Sequence, residues 1–323
     1  MASRDGNGWV RCELGHRHWG RFGAAGLLAF EAGGPVLLQR RTWWSHHGGT
    51  WGLPGGARDS HESALAAALR EAAEECGVPP GAVRQAGVFT DDHGGWSYTT
   101  VLAAAASPFA VQSDDDETDE VAWVPVPEVI SLDLHPGFAA HWARLRAELS
   151  PVTIIVDGAN VVGSRPDGWW RDRAGAAARL RDQLAPLAAE GITELPDGLA
   201  SPVLAGDEPG GDAPAGHVLL DGGSRATGMA DGVARMADGV TRMRWMPQVV
   251  LVVEGAARQA AADPAPGGIS VVAASGSGDD AIAALAAQTP GRRIVVTADR
   301  ELRRRCVAAG AGVAGPGWLL SLL

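Results

Sequence analysis

In the first 150 residues, short apolar segments alternate with turns. Period-two or continuous apolar patterns bounded by Gly, Pro and Asp predict β-strands. The strands predicted from this pattern are residues 21–30, 35–40, 83–90, 97–105 and 120–124. This part of the chain is therefore expected to form a sheet.

Two helices are predicted among these strands. The first runs from about Glu62 to Cys76, with Ser60 as its N-cap and Gly77 as the residue that ends it. The second covers 137–149, where large apolar residues recur at helical spacing. Strands on both sides of the first helix predict a mixed α/β domain.

The pattern changes at residues 150–151. Short, continuously apolar strands then recur between alanine-rich helices, as is typical of a parallel, doubly wound sheet. These strands are predicted at 152–156, 217–220, 248–253, 269–273 and 294–297. The chain is therefore expected to be α/β throughout, with a different sheet in each half.

A length of 323 residues fits two domains. We predict an N-terminal extension (1–20), a first domain (21–148) and a second domain (149–323). A stretch rich in Gly, Pro and Asp at about 193–247 is predicted to be an insertion in the second domain. At its end, the heptad 230–236 is repeated almost unchanged as 237–243, and no function is assigned to this duplication.

Charge and cysteine content limit the functional classes. The net charge of −11 argues against broad, nonspecific nucleic-acid binding, although the basic residues are all arginine, which binds phosphate well. No apolar run is long enough for a membrane span, and no signal peptide is recognised. Cys12, Cys76 and Cys306 are far apart and show neither a disulfide framework nor a zinc-binding spacing. A cytoplasmic protein is expected.

The first candidate site is the acidic run Arg70-Glu71-Ala72-Ala73-Glu74-Glu75. On a helix, Glu71, Glu74 and Glu75 share one face, because residues three and four apart are neighbours. Crowded carboxylates repel one another unless a cation neutralises them, and oxygen ligands suit Mg²⁺ or Mn²⁺. The alternative is an acidic helix face that is simply solvated.

The wider segment fits the pattern G-x5-E-x7-R-E-u-x-E-E-x-G-u, in which u is apolar, and it resembles the signature of the Nudix hydrolases. The matching positions are Gly56, Glu62, Arg70, Glu71, Ala72, Glu74, Glu75, Gly77 and Val78, preceded by WGLPGG at 51–56. The resemblance implies an α/β/α sandwich with a mixed sheet. It also implies a loop–helix–loop that holds a metal against a diphosphate.

The resemblance also implies roles for individual residues. Glu71, Glu74 and Glu75, with the Gly56 carbonyl, would bind Mg²⁺ or Mn²⁺, while Arg70 would hold a glutamate in place. Glu62 would brace the loop. The base that removes a proton from water would be Glu74, Glu75 or Glu120. Glu120 lies outside the signature, in an acidic loop whose other acids are expected to be solvated.

Residues before WGLPGG are candidates for substrate binding. Arg40 and Arg41 are positioned to meet phosphate, and Trp43 and Trp44 to stack on a base, although the tryptophans would also suit a core. The segment 15–20 (GHRHWG) is rich in His and Trp. A metal site there is weakly indicated, and packing is the favoured explanation.

In the second half, acids follow the predicted strands. The sequences VTIIVDGANVVG, SGSGDDAIAAL and IVVTADREL resemble the NYN domains, a PIN-like nuclease group whose acids bind divalent metal. The resemblance implies a metal site built from Asp157, Glu254, Asp280 and Asp299, with Asn160 near the substrate. Glu254 departs from the aspartate usual in this group, and an inactive NYN-like fold is the alternative.

Arginines at 292–293, 300 and 303–305 surround the last acid and suit an RNA backbone, although helix-surface arginines would look similar. The expected function is a Mg²⁺-dependent Nudix pyrophosphohydrolase of a nucleoside di- or triphosphate or a nucleoside-diphosphate derivative, with a C-terminal ribonuclease domain. Two alternatives stay open. In the first, the protein is an RNA-processing factor whose Nudix half trims 5′ ends. In the second, the Nudix half senses a nucleotide without catalysis.

Overall fold

The computed structural model describes residues 4–113, 116–166, 168–196, 198–199, 239–262, 265 and 268–323. Contacts divide these residues into two compact units. The N-terminal unit holds residues 4–84, most of 88–149, and 239–242, and the C-terminal unit holds 85–87 and the rest. The predicted strand at 217–220 and most of the predicted insertion and duplicated heptad lie outside the described residues.

The N-terminal unit contains nine strands and two α-helices. The strands are β1 (Trp9–Arg11), β2 (Arg17–Trp19), β3 (Ala24–Glu31), β4 (Pro35–Arg41), β5 (Trp51–Gly52), β6 (Gly55–Ala57), β7 (Val83–Asp92), β8 (Ser97–Ala105) and β9 (Thr118–Pro125). The helices are α1 (Ala64–Cys76), a 3₁₀ helix (Val126–Ser131) and α2 (Pro136–Ala147). The predicted strands and both predicted helices are therefore present, with small shifts of their ends.

The main sheet of this unit is mixed. Its strand order includes β7-β8-β3-β4-β5, with β6 paired to β3 and β9 paired to β4. Strand β3 runs parallel to β8 but antiparallel to β4 and β6. Strands β1 and β2 form a separate antiparallel hairpin, within the predicted N-terminal extension.

The N-cap of helix α1 is three residues later in the chain than the predicted N-cap, Ser60. The Ser63 hydroxyl, not that of Ser60, accepts the Ala66 backbone N–H at 3.1 Å and caps the helix. Ser60 instead donates its hydroxyl to Asp5, a residue 55 positions away, at 2.7 Å. The predicted end of helix α1 is confirmed, since Gly77 ends the helix at φ 64° in the left-handed region that favours glycine.

Alanines on one face of α1 set its distance from the sheet. Ala67, Ala68 and Ala72 are fully buried in the same cluster as Leu27 and Val101 of strands β3 and β8. Small side chains let the helix backbone approach the sheet closely. The alanine at position 72, which is small for its place in the signature, is therefore part of this close packing.

The C-terminal unit is built on a five-stranded sheet in which all neighbouring pairs are parallel. Its order is β13-β12-β10-β14-β15, from β10 (Val152–Asp157), β12 (Gln248–Val253), β13 (Ser270–Ala273), β14 (Arg292–Val296) and β15 (Gly312–Ala314). Its α-helices are α3 (Gly158–Gly163), α4 (Arg173–Glu190), α5 (Gly278–Gln288), α6 (Arg300–Ala308) and α7 (Pro316–Ser321). 3₁₀ helices cover Trp169–Arg171 and Gly255–Ala261.

The strand order places β10 between β12 and β14, so the direction of winding reverses beside β10. In an open parallel sheet, such a reversal leaves a crevice at the carboxyl ends of the strands. The predicted parallel sheet is thus present.

The last part of the predicted insertion differs from expectation, because Val240–Trp245 forms strand β11. No helix among the described residues is both long and apolar enough to cross a membrane.

The cap of α1 can be tested by Ser63→Ala. Loss of an N-cap costs about 1 kcal/mol, so we expect a lower midpoint for thermal unfolding of the N-terminal unit. Ser107→Ala, at an exposed serine in a bend, is the matched control. An equal midpoint for the two variants in calorimetry would contradict the cap.

Candidate active site

The signature carboxylates lie where α1 meets the turn before it. Glu75 is only 5% exposed. Its Oε2 accepts a hydrogen bond from Gln39 Nε2 at 3.0 Å and another from the Gly55 backbone N–H at 2.8 Å. Thr118 donates its hydroxyl to the other end of the Gln39 amide at 2.9 Å, which fixes the amide's orientation. Strands β4, β6 and β9 therefore position this carboxylate together.

Arg70 links three carboxylates of the signature. Its guanidinium binds Glu62 through two hydrogen bonds, from Nε at 2.7 Å and Nη2 at 2.9 Å. Its Nη1 donates to Glu71 at 2.7 Å and lies 3.5 Å from Glu74. The hydrogen bonds from Arg70 lower the pKa of Glu62. Arg70 thus joins Glu62, ahead of the helix, to Glu71 on it, and the bracing role of Glu62 stays a prediction.

Gly56 lies directly against Glu71. A Cβ built on Gly56 would lie 2.6 Å from Glu71 Oε1, closer than atoms of two residues can pack. An alanine here would therefore force the Glu71 carboxylate to move from its position. Because Gly56 has no side chain, the backbone of β6 lies directly against the Glu71 carboxylate.

Glu74 has a different environment from its neighbours. Its side chain is 39% exposed, and its Oε1 pairs with Arg4 at 2.7 Å. Glu71 is less exposed, at 16%. Glu74 is therefore the signature carboxylate with the freest access to water.

Burial dominates the electrostatics of the cluster. Burial, and then the charge of the nearby Glu71, raise the pKa of Glu75 to about 8. Burial likewise raises the pKa of Glu71. Two adjacent carboxylates that the protein alone leaves hard to ionise are suited to a divalent cation, which supplies the missing positive charge. The donor set, all oxygen, fits Mg²⁺ or Mn²⁺.

A cavity of about 140 Å³ lies beside this cluster in the N-terminal unit. It is lined by Arg41, Gly52, Leu53, Gly55, Phe89, Asp91, His93, Trp96, Tyr98, Thr100, His135, Gly137, Phe138, His141 and Leu145. Of the predicted substrate residues, only Arg41 lines it. Tyr98, His135 and His141 were not predicted, because their positions in the sequence carry no motif and only the packing of β8 and α2 brings them here.

The other predicted substrate residues lie on the surface. Trp43 and Trp44 are 78% and 57% exposed, so the core alternative for them is wrong. Arg40 pairs with Glu120, its partner across β4 and β9, at 3.3 Å. Both of these side chains are about half exposed. The role of Glu120 as a base stays a prediction.

Comparison with known proteins agrees with this geometry. The family model for the NUDIX domain matches residues 20–145. A Mycobacterium tuberculosis protein named "Putative 8-oxo-dGTP diphosphatase 3" is 48% identical over 160 residues, which cover 46% of this chain and 72% of that protein. A "Nucleoside triphosphate pyrophosphatase/Nudix hydrolase fusion protein" of Bifidobacterium longum is 40% identical, covering 45% of this chain and 32% of its own length.

The chain belongs to the Nudix family. Among solved structures, the M. smegmatis Nudix hydrolase RenU is 49% identical over 44% of this chain and 93% of its own, with a TM-score of 0.41. The N-terminal half of the chain is thus a Nudix hydrolase, an enzyme of phosphoric anhydride bonds. Such enzymes generally use divalent metal ions. The family match ends at residue 145, so the C-terminal half lies outside it.

A second cavity, of about 280 Å³, lies in the C-terminal unit at the carboxyl ends of the strands. Four acids line it: Asp157, Glu254, Asp279 and Asp299. Asp280, which the sequence placed in this group, instead points outward, 72% exposed, and pairs with Arg305 at 2.7 Å. Successive helical residues point about 100° apart, so only one of the two aspartates can face the cavity.

Hydrogen bonds fix the acids of this second cavity. Asp157, only 7% exposed, accepts from the Asn160 N–H at 3.0 Å and from the Thr297 hydroxyl at 2.8 Å. Glu254 accepts from the Gly278 N–H at 2.7 Å. Asp299 caps α6 by accepting from the Leu302 N–H. The carboxylates of Asp157, Glu254 and Asp299 are therefore each held by backbone or hydroxyl donors.

Mutual repulsion shapes the ionisation of these acids. Burial raises the pKa of Asp157, with smaller contributions from the charges of Asp279 and Glu254. Burial, and then the charges of Asp299 and Glu254, raise the pKa of Asp279. Asn160, the predicted substrate residue, accepts from the Ala298 N–H at 2.8 Å and so links α3 to the loop after β14. The arrangement suits a divalent cation.

The contact between Gly56 and Glu71 can be tested by Gly56→Ala. The added methyl group must displace the carboxylate, and we expect metal affinity and kcat/KM to fall about 10- to 100-fold. Gly317→Ala is the matched control, because a Cβ at Gly317 would meet no atom within 4 Å. Mg²⁺ titration of the hydrolysis rate checks both variants, and unchanged Mg²⁺ dependence in Gly56→Ala would contradict the contact.

Proposed function

We propose that the N-terminal half is a Mg²⁺-dependent pyrophosphohydrolase of purine nucleoside triphosphates, with oxidised dGTP as the first candidate substrate. The buried, mutually repelling pair Glu71 and Glu75 beside Gly56 carries the proposal. The name of the M. tuberculosis relative supports the choice of substrate. The preserved carboxylates weigh against a sensor without catalysis.

In this proposal, Glu71, Glu75 and the Gly56 carbonyl hold the cation, with Glu74 at the edge of the site. A divalent cation supplies charge neutralisation of the diphosphate and activation of water. Arg70 keeps Glu71 in position by the short hydrogen bond described above. Arg41, at the cavity wall, is placed to bind phosphate oxygen, for which its guanidinium is well suited.

We assign the general base to Glu74. A base must reach a water molecule, and Glu74 is more exposed than Glu71 and Glu75. Glu75 is buried, and its Oε2 already accepts hydrogen bonds from Gln39 and the Gly55 N–H. Glu120 is less suited, because its carboxylate faces Arg40 on the strand surface. The exposed indoles of Trp43 and Trp44 are the proposed stacking surface for the base.

A second function is proposed for residues 149–323, as an NYN-like domain that cleaves RNA with a divalent metal. Its support is the convergence of Asp157, Glu254, Asp279 and Asp299 on one cavity from four separate chain segments. Exposed Trp170 and the arginines near α6 offer contacts for bases and phosphates. The Nudix domain is then 21–148.

The hydrolase is tested by Glu74→Gln, which removes the charge but keeps the shape. With Mg²⁺ and oxidised dGTP, we expect kcat to fall about 10²- to 10⁴-fold, the usual contribution of a general base. Glu128→Gln, at an exposed glutamate of the 3₁₀ helix, should keep full activity. Chromatography of the products identifies the bond that breaks. Equal rates in the two variants would refute the assignment of Glu74.

The nuclease is tested by Asp157→Asn and Asp299→Asn, with Asp280→Asn as the control outside the cavity. Asparagine also caps helices well, so the fold should be retained at both capping positions. We expect cleavage of single-stranded RNA with Mn²⁺ or Mg²⁺ to be lost in the first two variants and kept in the third. Cleavage that persists in all three, or is absent from the unaltered protein, would contradict the proposal.

A further inference from the structure

Beside the first cavity, and apart from the carboxylates of both candidate sites, the N-terminal unit gathers four metal-binding side chains. Cys12 follows β1, His16 lies in the hairpin turn, His18 is on β2, and His93 lies between β7 and β8. One donor atom from each, the thiol sulfur or a ring nitrogen, lies within 4.8 Å of every other. We call these residues the Cys12 cluster.

The cluster is buried. Cys12, His18 and His93 are 5%, 6% and 2% exposed, and His16 is half-buried. The three imidazoles pack edge to face, with centroids 4.9 to 6.1 Å apart. Imidazoles this close share a small volume with the thiol, so their polar atoms point at one another rather than at water.

Several of these nitrogens have no hydrogen-bond partner within the described part of the chain. They are both ring nitrogens of His16, Nε2 of His18 and Nδ1 of His93. Leaving a buried polar atom unpaired is costly, because the atom loses its hydrogen bonds to water without replacing them. A single bound ion could satisfy one nitrogen of each ring, which accounts for three of these four atoms.

His93 is held in the arrangement usual for a metal-bound histidine. Its Nε2 lies 3.0 Å from Asp91 Oδ2, which leaves Nδ1 to face the cluster. A carboxylate bonded to the far nitrogen fixes the tautomer and orientation of a ligating imidazole. His18 is fixed by stacking on Trp96, with ring centroids 3.9 Å apart and planes at 9°.

Backbone hydrogen bonds also hold the segments that carry these four side chains close to one another. The Cys12 N–H donates to the His16 carbonyl at 3.0 Å, and Gly15 makes the turn between them at φ 83°. The Glu13 N–H donates to the Gly94 carbonyl at 2.9 Å, which ties the hairpin to the β7–β8 turn.

We propose that Cys12, His16, His18 and His93 form a structural zinc site that fastens the β1–β2 hairpin to the Nudix sheet. Nitrogen and sulfur donors select Zn²⁺ over Mg²⁺, and four protein ligands close the tetrahedron. Bonds of about 2.0–2.3 Å to zinc put neighbouring donors about 3.5 Å apart, a spacing that small side-chain shifts would reach. The thiol releases its proton when the metal binds.

The site also adjoins the substrate cavity. Asp91, which orients His93, lies 3.1 Å from His141 Nε2 as well. His93, Asp91, His141 and Trp96 all line that cavity. Zinc at the cluster would therefore hold one wall of the cavity through His93 and Asp91, while remaining separate from the carboxylate site on α1.

Metal analysis of the full-length protein tests the proposal. After expression with added zinc and purification without chelator, we expect about one zinc per chain by mass spectrometry. Cys12→Ala and His18→Ala should reduce this to near zero. Cys306→Ala, which truncates an equally buried cysteine of the C-terminal unit, should keep it. Glu71→Gln with Glu75→Gln should keep it too, which separates this site from the signature carboxylates.

Cobalt gives a second readout on the unaltered protein, in case the variants fail to fold. After removal of zinc, Co²⁺ should produce intense visible bands of a tetrahedral ion and a thiolate-to-cobalt charge-transfer band. Zinc removal should also lower the unfolding midpoint by more than about 5 °C. Absence of stoichiometric zinc, a cobalt spectrum without thiolate, or equal zinc in Cys12→Ala and Cys306→Ala would overturn the proposal.

Discussion

The N-terminal unit depends on burying negative charge between one helix and one turn. Glu75 is enclosed, and the Gln39 amide and Gly55 N–H offset part of the cost of removing its carboxylate from water. For this to work, α1 must approach the sheet closely, which its buried alanines allow. The lack of a side chain at Gly56 leaves the space that the Glu71 carboxylate occupies. Packing and chemistry are therefore set by the same contacts.

The two units reach similar acidic sites by different routes. In the Nudix domain, three carboxylates come from one helix, so local spacing alone places them near one another. In the C-terminal unit, Asp157, Glu254, Asp279 and Asp299 come from four segments, and the parallel sheet assembles them at its carboxyl edge. The first arrangement can be found from a motif, whereas the second requires the strand order.

Most elements could be predicted from apolar patterning, because strands and helices differ in their hydrophobic period. Errors arose where long-range contacts compete with local preference. Ser60 is a good N-cap residue, but its hydroxyl binds Asp5, and Ser63 caps the helix. Asp279 and Asp280 are adjacent, and only the orientation of α5 on the sheet decides which one faces the cavity.

The sequence by itself determined the Nudix signature, its helix and the candidate ligands on it, because all of these lie within about two dozen consecutive residues. It also determined the alternation of strands and helices in the second half. Only the tertiary structure decided that Arg41 rather than Arg40 lines the cavity, and that Trp43 and Trp44 are exposed. It alone brought His93 to Cys12, His16 and His18, since residues 75 or more positions apart meet only through folding.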